Sequence, residues 1–175
     1  MTDAAKANGI MLSVIDRHRK KESAWEGATF EYVKYISNTN KGNLGEQFAY
    51  EMFNLVFPEG EIVWKDHSRD DYDIMVNGIK FEVKTATQDK QGGFQFNGIR
   101  FDTKYDYLLL IGIGHDDLYF EAVSRSKLTD ESMVPMAKGV NSSFKLTIKI
   151  RGERLHSINE FDHFMKNLVS KKGSK

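Results

Sequence analysis

Residues 71–87, "DYDIMVNGIKFEVKTAT", predict a β-hairpin around which the rest of the fold can be built. Asn77-Gly78 is the strongest short signal for a two-residue type I′ turn, because both central positions of that turn need positive φ. A turn of this length fixes the register of the two strands. Counting outward from it places the carboxylate of Asp73 directly opposite that of Glu82.

The hairpin has one apolar face and one charged face, because successive side chains of a strand point to opposite sides. The predicted apolar face holds Tyr72, Ile74, Val76, Ile79, Phe81 and Val83, and the predicted charged face holds Asp71, Asp73, Met75, Lys80, Glu82 and Lys84. In the simplest interpretation, the charged face lies in water. However, like charges placed opposite each other cost stability. The next strand is also so apolar that the sheet is expected to be covered on both faces. We therefore expect the charged face to line a cleft.

A divalent cation between Asp73 and Glu82 would turn their repulsion into coordination. Oxygen ligands in a chain without cysteine favour Mg²⁺, with Mn²⁺ as a substitute. Lys84 shares the charged face and lies two residues further on, within reach of an attacking water or a phosphate oxygen. Because carboxylates surround it, we expect Lys84 to stay charged and to orient the water or stabilise the transition state.

The rest of the chain predicts an α/β or α+β domain with a mixed central sheet, an antiparallel meander and flanking helices. Helices are predicted over 10–37 (in two pieces broken near 22–27), from about Leu44 to Phe57, and around 159–170. The middle helix has an apolar stripe of Leu44, Phe48, Met52 and Leu55. Strands are predicted at 61–65, 72–76, 79–86, 105–113, 118–124 and 143–150, with a polar loop at 88–103. The length of 175 residues suits a single domain, with an N-terminal helical segment (1–40), a catalytic core (41–130) and a C-terminal strand and helix (131–175).

Composition excludes some classes of protein. The net charge is zero, so a general basic character does not point to nucleic acid. The charge is unevenly distributed, because acidic residues outnumber basic ones in residues 46–82 and basic residues outnumber acidic ones in residues 138–175. The lack of cysteine excludes disulfides and thiolate-bound zinc and fits a reducing cytoplasm, where we expect the protein to reside. No apolar run is long enough to span a bilayer, so no membrane association is expected.

Asp73, eight intervening residues and then Glu82-Val83-Lys84 resemble the D-x(n)-(D/E)-x-K signature of the PD-(D/E)XK nuclease superfamily, which includes many restriction endonucleases. The resemblance covers about residues 40–125, although Tyr72 stands where the family pattern has proline. It implies a restriction-endonuclease-like fold in which Asp73 and Glu82 bind the metal, with the Val83 carbonyl as an extra ligand.

The resemblance also implies a carboxylate from the preceding helix, for which Glu46 is the candidate. In the family interpretation, Glu46 binds the metal or supports its ligands. In the alternative interpretation, Asn43 is the N-cap of the helix and Glu46 completes a capping box, which stabilises the helix by about 1 kcal/mol. The sequence leaves both open.

The segment "TATQDKQGGFQFNGIRFDTK" offers side chains suited to DNA. Gln, Asn and Arg make bidentate contacts to base edges, and Lys contacts phosphates. The candidates are Gln88, Lys90, Gln91, Gln95, Asn97, Arg100 and Lys104. An ordinary polar loop is the alternative. Phe94, Phe96 and Phe101 are interpreted as packing residues.

Together these patterns predict a Mg²⁺-dependent DNA endonuclease that hydrolyses phosphodiester bonds, most simply a small type II restriction-like enzyme. Cutting both strands of a palindromic site would require a homodimer, for which the N-terminal helices are the candidate interface. A structure-selective nuclease, such as a junction resolvase or a repair nicking enzyme, is the alternative within the same class. A non-catalytic DNA- or protein-binding module of the same fold is the alternative from another class.

Overall fold

The computed structural model describes residues 8–9, 11–14, 23–65, 71–100, 103–128, 134–135 and 145–172. Its strands are β1 (Ile62–Trp64), β2 (Ile74–Val76), β3 (Ile79–Thr87), β4 (Gly93–Arg100), β5 (Tyr107–Ile113), β6 (Leu118–Ser124), β7 (Val134–Pro135), β8 (Lys145–Arg151) and β9 (His156–Ser157). Its longer helices are α1 (Asn38–Val56) and α2 (Phe161–Lys172). Short 3-10 helices lie at Ser23–Trp25, Glu31–Tyr35, Arg125–Lys127, Gly152–Arg154 and Ile158–Glu160.

A six-stranded sheet, which we call the main sheet, runs in the order β1-β2-β3-β5-β6-β9. Strands β3 and β5 are parallel, and the other neighbours in this sheet are antiparallel. The mixed α+β architecture predicted from the sequence is therefore confirmed. The strand predicted at 105–113 is confirmed as central and apolar, since six consecutive residues of β5 from Leu108 to Ile113 are buried.

The β2–β3 hairpin forms as predicted, with Ile74 opposite Phe81 and Val76 opposite Ile79. Asn77 and Gly78 have φ of 48° and 80°, as a type I′ turn requires.

The hairpin ladder ends at Ile74, so the predicted pairing of Asp73 with Glu82 is not part of it. The Asp73 backbone N–H instead donates to the Phe81 carbonyl at 2.9 Å. This change in register also makes the predicted position of Tyr72 wrong. Tyr72 packs on the charged side of the hairpin, with the Lys80 ammonium 5.2 Å from its ring centroid.

Both helices cover one face of the main sheet. Phe53 of α1 and Phe161 of α2 meet over Phe81 of β3, and all three side chains are fully buried. Residues 161–172 confirm the predicted closing helix.

Two predictions about α1 are wrong. The helix begins at Asn38 rather than near Leu44, because the Ser37 hydroxyl accepts a hydrogen bond from the Asn40 backbone N–H at 3.3 Å and caps it. The predicted stripe is wrong for Leu55, whose side chain is 77% exposed, whereas its Phe48 and Met52 do pack against the core. The residues that face the sheet recur every three or four positions and include two small ones, namely Gly45, Ala49, Phe53 and Val56. Small residues let the helix axis approach the sheet closely.

A three-stranded sheet in the order β4-β8-β7, which we call the small sheet, lies over the other face of the main sheet. Phe94, Phe96 and Ile99 of β4 pack there against Leu108 and Leu110 of β5. The predicted polar loop at 88–103 is therefore wrong over Gly93–Arg100, which is a strand, whereas the packing roles of Phe94 and Phe96 are confirmed. The main sheet is covered on both faces, so the charged face of the hairpin lies between two layers as expected.

Several predicted elements differ in detail near the ends of the chain. The segment 30–36, predicted as α-helix, is a 3-10 helix at Glu31–Tyr35. Residues 11–14 are helical, while 10 and 15–22 lie outside the described residues, as do residues 143–144 of the predicted strand at 143–150. Among the described residues, no helix is long and apolar enough to cross a membrane.

Candidate active site

The four side chains predicted to carry chemistry come from three neighbouring elements. Glu82 and Lys84 lie on β3, Asp73 lies directly before β2, and Glu46 lies in the third turn of α1. The carboxylates lie close enough to interact electrostatically, because the charges of Asp73 and Glu82 both raise the pKa of Glu46. The chain therefore gathers these groups into one site.

Glu82 is the most deeply buried charged side chain of this site, with 1% of its surface exposed. Its Oε1 accepts a 2.6 Å hydrogen bond from the Lys84 ammonium. Its Oε2 has no hydrogen-bond partner within the described residues, and the Arg100 guanidinium lies 3.8 Å from it. A buried carboxylate oxygen without a donor is costly. Glu82 thus keeps one oxygen available for another positively charged group.

Asp73 is held in a defined orientation. Its Oδ2 accepts a 2.7 Å hydrogen bond from the Val83 backbone N–H, which replaces the ladder bond that a regular hairpin would make. Burial, and then the charge of Glu82, raise the pKa of Asp73 from 3.8 to about 6, although Lys84 and the Val83 N–H oppose this rise. The site therefore resists holding both carboxylates ionised.

The ionised form of Glu46 is also disfavoured in this site. Burial is the main reason that its pKa rises from 4.5 to about 7, and the charge of Asp73 is the next. The Lys84 ammonium lowers this pKa, and so does the Trp64 indole N–H, which lies near the carboxylate but outside ordinary hydrogen-bond geometry. Because Ser37 caps the helix, the capping-box interpretation of Glu46 with Asn43 is wrong.

Gly45 brings Glu46 to this position. A Cβ atom on Gly45 would lie 1.6 Å from Thr85 Oγ1 and 2.8 Å from Thr85 Cβ, so only glycine fits where α1 crosses β3. The close approach sets the height of α1 above the sheet. It therefore sets how far Glu46 lies from the carboxylates of the hairpin.

The donor set fits a hard divalent cation. The oxygens of Asp73 and Glu82 are of the type that Mg²⁺ and Mn²⁺ prefer. The raised pKa of Asp73, and the lack of a hydrogen-bond donor to Glu82 Oε2 among the described residues, indicate a deficit of positive charge. Within the described residues, however, no group of three or more His, Cys, Asp or Glu side chains forms a ready-made metal cluster. Asp73 and Glu82 are therefore the two carboxylates that would hold a cation here. The ligand roles of Glu46 and of the Val83 carbonyl stay predictions, and that carbonyl now accepts a 3.1 Å hydrogen bond from Lys84.

The seven side chains predicted to contact DNA do not lie together. Gln88 is partly buried, and its amide donates to the Gly92 carbonyl at 3.4 Å. Exposed positions in turns or connections hold Lys90, Gln91 and Lys104. Gln95 and Asn97 are exposed on β4, with a 3.1 Å hydrogen bond between their side chains. Arg100 lies beside Glu82 instead.

The surface that carries Gln95 and Asn97 also carries two cations of the basic segment 138–175, neither of which the sequence singled out as a site residue. Gln95 pairs across the strands with Lys149 of β8, which is exposed, and Gly93 pairs with Arg151, whose side chain is 78% exposed. We call the solvent side of the small sheet at Gln95, Asn97, Lys149 and Arg151 the outer face. The alternation of polar and apolar residues over 145–151 indicates a strand with one polar face. The sequence does not show that this strand pairs with β4.

No protein-family model matches the chain, and no curated protein matches it. Among the solved structures, a bacterial homing endonuclease, I-Ssp6803I, matches 79% of this chain and 99% of its own chain, with 15% sequence identity and a TM-score of 0.47.

Proposed function

We propose that the protein is a Mg²⁺-dependent DNA endonuclease of the PD-(D/E)XK type, in which Mn²⁺ can replace Mg²⁺. One observation carries the proposal. The buried Glu82 carboxylate has the Lys84 ammonium on one oxygen and no hydrogen-bond donor on the other among the described residues, and it lies beside Asp73. A structural ion pair alone does not explain why the Asp73 carboxylate lies close enough to Glu82 for the Glu82 charge to raise its pKa.

Asp73 and Glu82 are the residues that would hold the cation, with the Val83 carbonyl as a further ligand. When bound, such a cation polarises a phosphodiester and makes a water molecule more acidic. The Val83 N–H fixes the orientation of Asp73, so this ligand is preorganised.

Lys84 orients the attacking water or neutralises the charge that develops on the phosphate. Its side chain is 19% exposed, and its ammonium is anchored to Glu82 at 2.6 Å and to the Val83 carbonyl at 3.1 Å. One of its three N–H donors is therefore left for water or substrate. Glu46 is an auxiliary carboxylate, whose ionised form becomes favourable once positive charge enters the site.

The outer face supports duplex DNA as the substrate. A two-stranded β-ribbon fits into the major groove, where amide side chains such as Gln95 and Asn97 read base edges. Lys149 and Arg151 on the neighbouring strand are suited to phosphates. This combination favours a sequence-specific, restriction-like enzyme, and cutting both strands would require two copies of the chain.

The test is cleavage of long, mixed-sequence duplex DNA in Mg²⁺ and in EDTA, with the products separated on a gel. We expect discrete Mg²⁺-dependent fragments from the wild type. Glu82→Gln and Lys84→Ala should stop cleavage while DNA binding survives. Cleavage only of branched or mismatched DNA would favour a structure-selective nuclease. If neither substitution changed any activity, the protein would be a binding module and the proposal would be wrong.

A further inference from the structure

Arg100 approaches the candidate active site from a different sheet than the other charged residues. It is the last residue of β4 in the small sheet, and its Nη2 lies 3.8 Å from Glu82 Oε2 in the main sheet. Lys84 contacts the other oxygen of the same carboxylate. Two cations from two layers therefore flank one buried carboxylate.

The backbone around Arg100 holds it at the rim of the core. A bulge between Phe96 and Ile99, with Gly98 at φ 75°, changes which residues of β4 point inward. Ile99 is fully buried as a result, while the Arg100 side chain is 25% exposed. The Tyr105 hydroxyl donates to the Arg100 carbonyl at 3.0 Å and anchors the end of the strand.

The contact between Arg100 and Glu82 is easily exchanged. At 3.8 Å it is longer than a hydrogen bond, so it contributes charge compensation without a directed bond. The same Glu82 oxygen is the one that a divalent cation would need. A guanidinium has five N–H donors in a planar fork that matches the geometry of a phosphate. Arg100 thus has the position and the chemistry to leave Glu82 for a phosphate at the mouth of the site.

We propose that Arg100 is a further catalytic residue, which binds a non-bridging oxygen of the phosphate being cut when Glu82 serves the metal. This replaces the base-contacting role predicted for Arg100 from the sequence. The inference rests on the proposed nuclease function and extends it, because it assigns a phosphate ligand that the D-x(n)-(D/E)-x-K pattern does not contain.

The test compares the wild type with Arg100→Ala, Arg100→Lys and a control, Lys166→Ala, which removes an exposed cation paired with Asp162 on α2. The first measurement is the Mg²⁺ concentration that gives half of the thermal stabilisation, without DNA. We expect Arg100→Ala to lower this concentration at least about threefold, because a competing positive charge is removed. Lys166→Ala should leave it unchanged.

The second measurement is the single-turnover rate of DNA cleavage, at a Mg²⁺ concentration that saturates each variant. We expect a loss of about 100-fold for Arg100→Ala, as for other preorganised donors to a developing charge. Arg100→Lys should lose roughly tenfold, because it keeps the charge without the planar fork. Lys166→Ala should cleave at the wild-type rate. Tighter Mg²⁺ binding together with slower cleavage is the combination that a purely structural arginine would not give.

The two proposals fail in different ways. If the wild type cleaves DNA and Arg100→Ala cleaves equally fast, Arg100 only neutralises Glu82, and this inference is wrong while the nuclease proposal stands. If the wild type cleaves no duplex, branched or mismatched DNA, both are wrong. Far-ultraviolet circular dichroism shows whether each variant is folded, and Arg100→Lys provides the same comparison if the alanine variant does not fold.

Discussion

The crossing of α1 over β3 gives a quantitative prediction about one methyl group. In Gly45→Ala, the new Cβ would lie 1.6 Å from Thr85 Oγ1, whereas ordinary contacts begin near 3.4 Å. The helix would have to move by more than 1 Å, because the nearest atoms belong to a short, branched side chain on a central strand. Overpacking of this kind costs about 1–3 kcal/mol of folding free energy. Glu46 follows Gly45 directly, so the carboxylate should be displaced with the helix.

The same substitution one turn earlier provides a matched control. Gly42 lies in α1, and a Cβ there would meet nothing within 4 Å. Gly42→Ala should therefore stabilise the protein by about 0.5–1 kcal/mol through helix propensity. The two variants differ only in what the methyl group touches.

Urea unfolding of both variants, followed by Mg²⁺-dependent cleavage, measures the two effects. We expect opposite changes in stability, with cleavage lowered at least about tenfold in Gly45→Ala alone. Adding Thr85→Ala removes the hydroxyl at 1.6 Å but leaves Thr85 Cβ at 2.8 Å, so the double variant should recover part of the loss. Equal stability of the two glycine variants would refute the close approach of helix and strand.

Three further predictions concern charges. Asp73→Asn should stabilise the metal-free protein by up to about 3 kcal/mol at pH 8, because each tenfold change in an acid constant is worth about 1.4 kcal/mol and the pKa of Asp73 is raised from 3.8 to about 6. The wild type loses this free energy of unfolding as the pH rises from about 4 to about 6, because Asp73 then ionises in the folded state. In urea unfolding with EDTA, the gain from Asp73→Asn should therefore vanish near pH 4. Asp71→Asn is the control, because Asp71 is exposed, and it should give no such gain. Lys84→Met should destabilise the fold by about 2–3 kcal/mol, measured in the same way, by leaving Glu82 short of a cation. Lys149→Ala should lower the slope of log DNA affinity against log salt by about 1 in mobility-shift assays with Ca²⁺, and an unchanged slope would exclude Lys149 from the interface.

The hairpin and its register are predictable from sequence because they depend on local chemistry. Asn77-Gly78 accepts positive φ at both turn positions, and the alternation on each side then determines which residues share a face. The position of Tyr72 is not predictable in this way. It depends on the ladder ending at Ile74, because the Asp73 side chain beyond it takes the Val83 N–H that a ladder bond would have used.

The wrong predictions about α1 and about the loop at 88–103 have different causes. Ser37 and Asn43 are both good N-cap residues, and local preference alone does not choose between them. The stripe prediction favoured large apolar residues over Gly45, whose role is visible only once Thr85 lies against it. In β4, the bulge at Gly98 interrupts the alternation of apolar and polar residues. The sequence of this strand therefore resembles that of a polar loop.

The candidate site was predictable in part. Asp73, Glu82 and Lys84 lie on or next to one hairpin, so its two-residue turn brings them close although the ladder itself ends at Ile74. Arg100 reaches Glu82 from another sheet, and Lys149 joins Gln95 through the pairing of β8 with β4. Both contacts join residues distant in sequence, and no local pattern encodes them.

The most direct test of the central claim is an anomalous difference map from crystals soaked in Mn²⁺. We expect a peak between the carboxylates of Asp73 and Glu82, which disappears in crystals of Glu82→Gln. A map without a peak at these carboxylates, at millimolar Mn²⁺ and neutral pH, would show that Asp73 and Glu82 do not form a metal site.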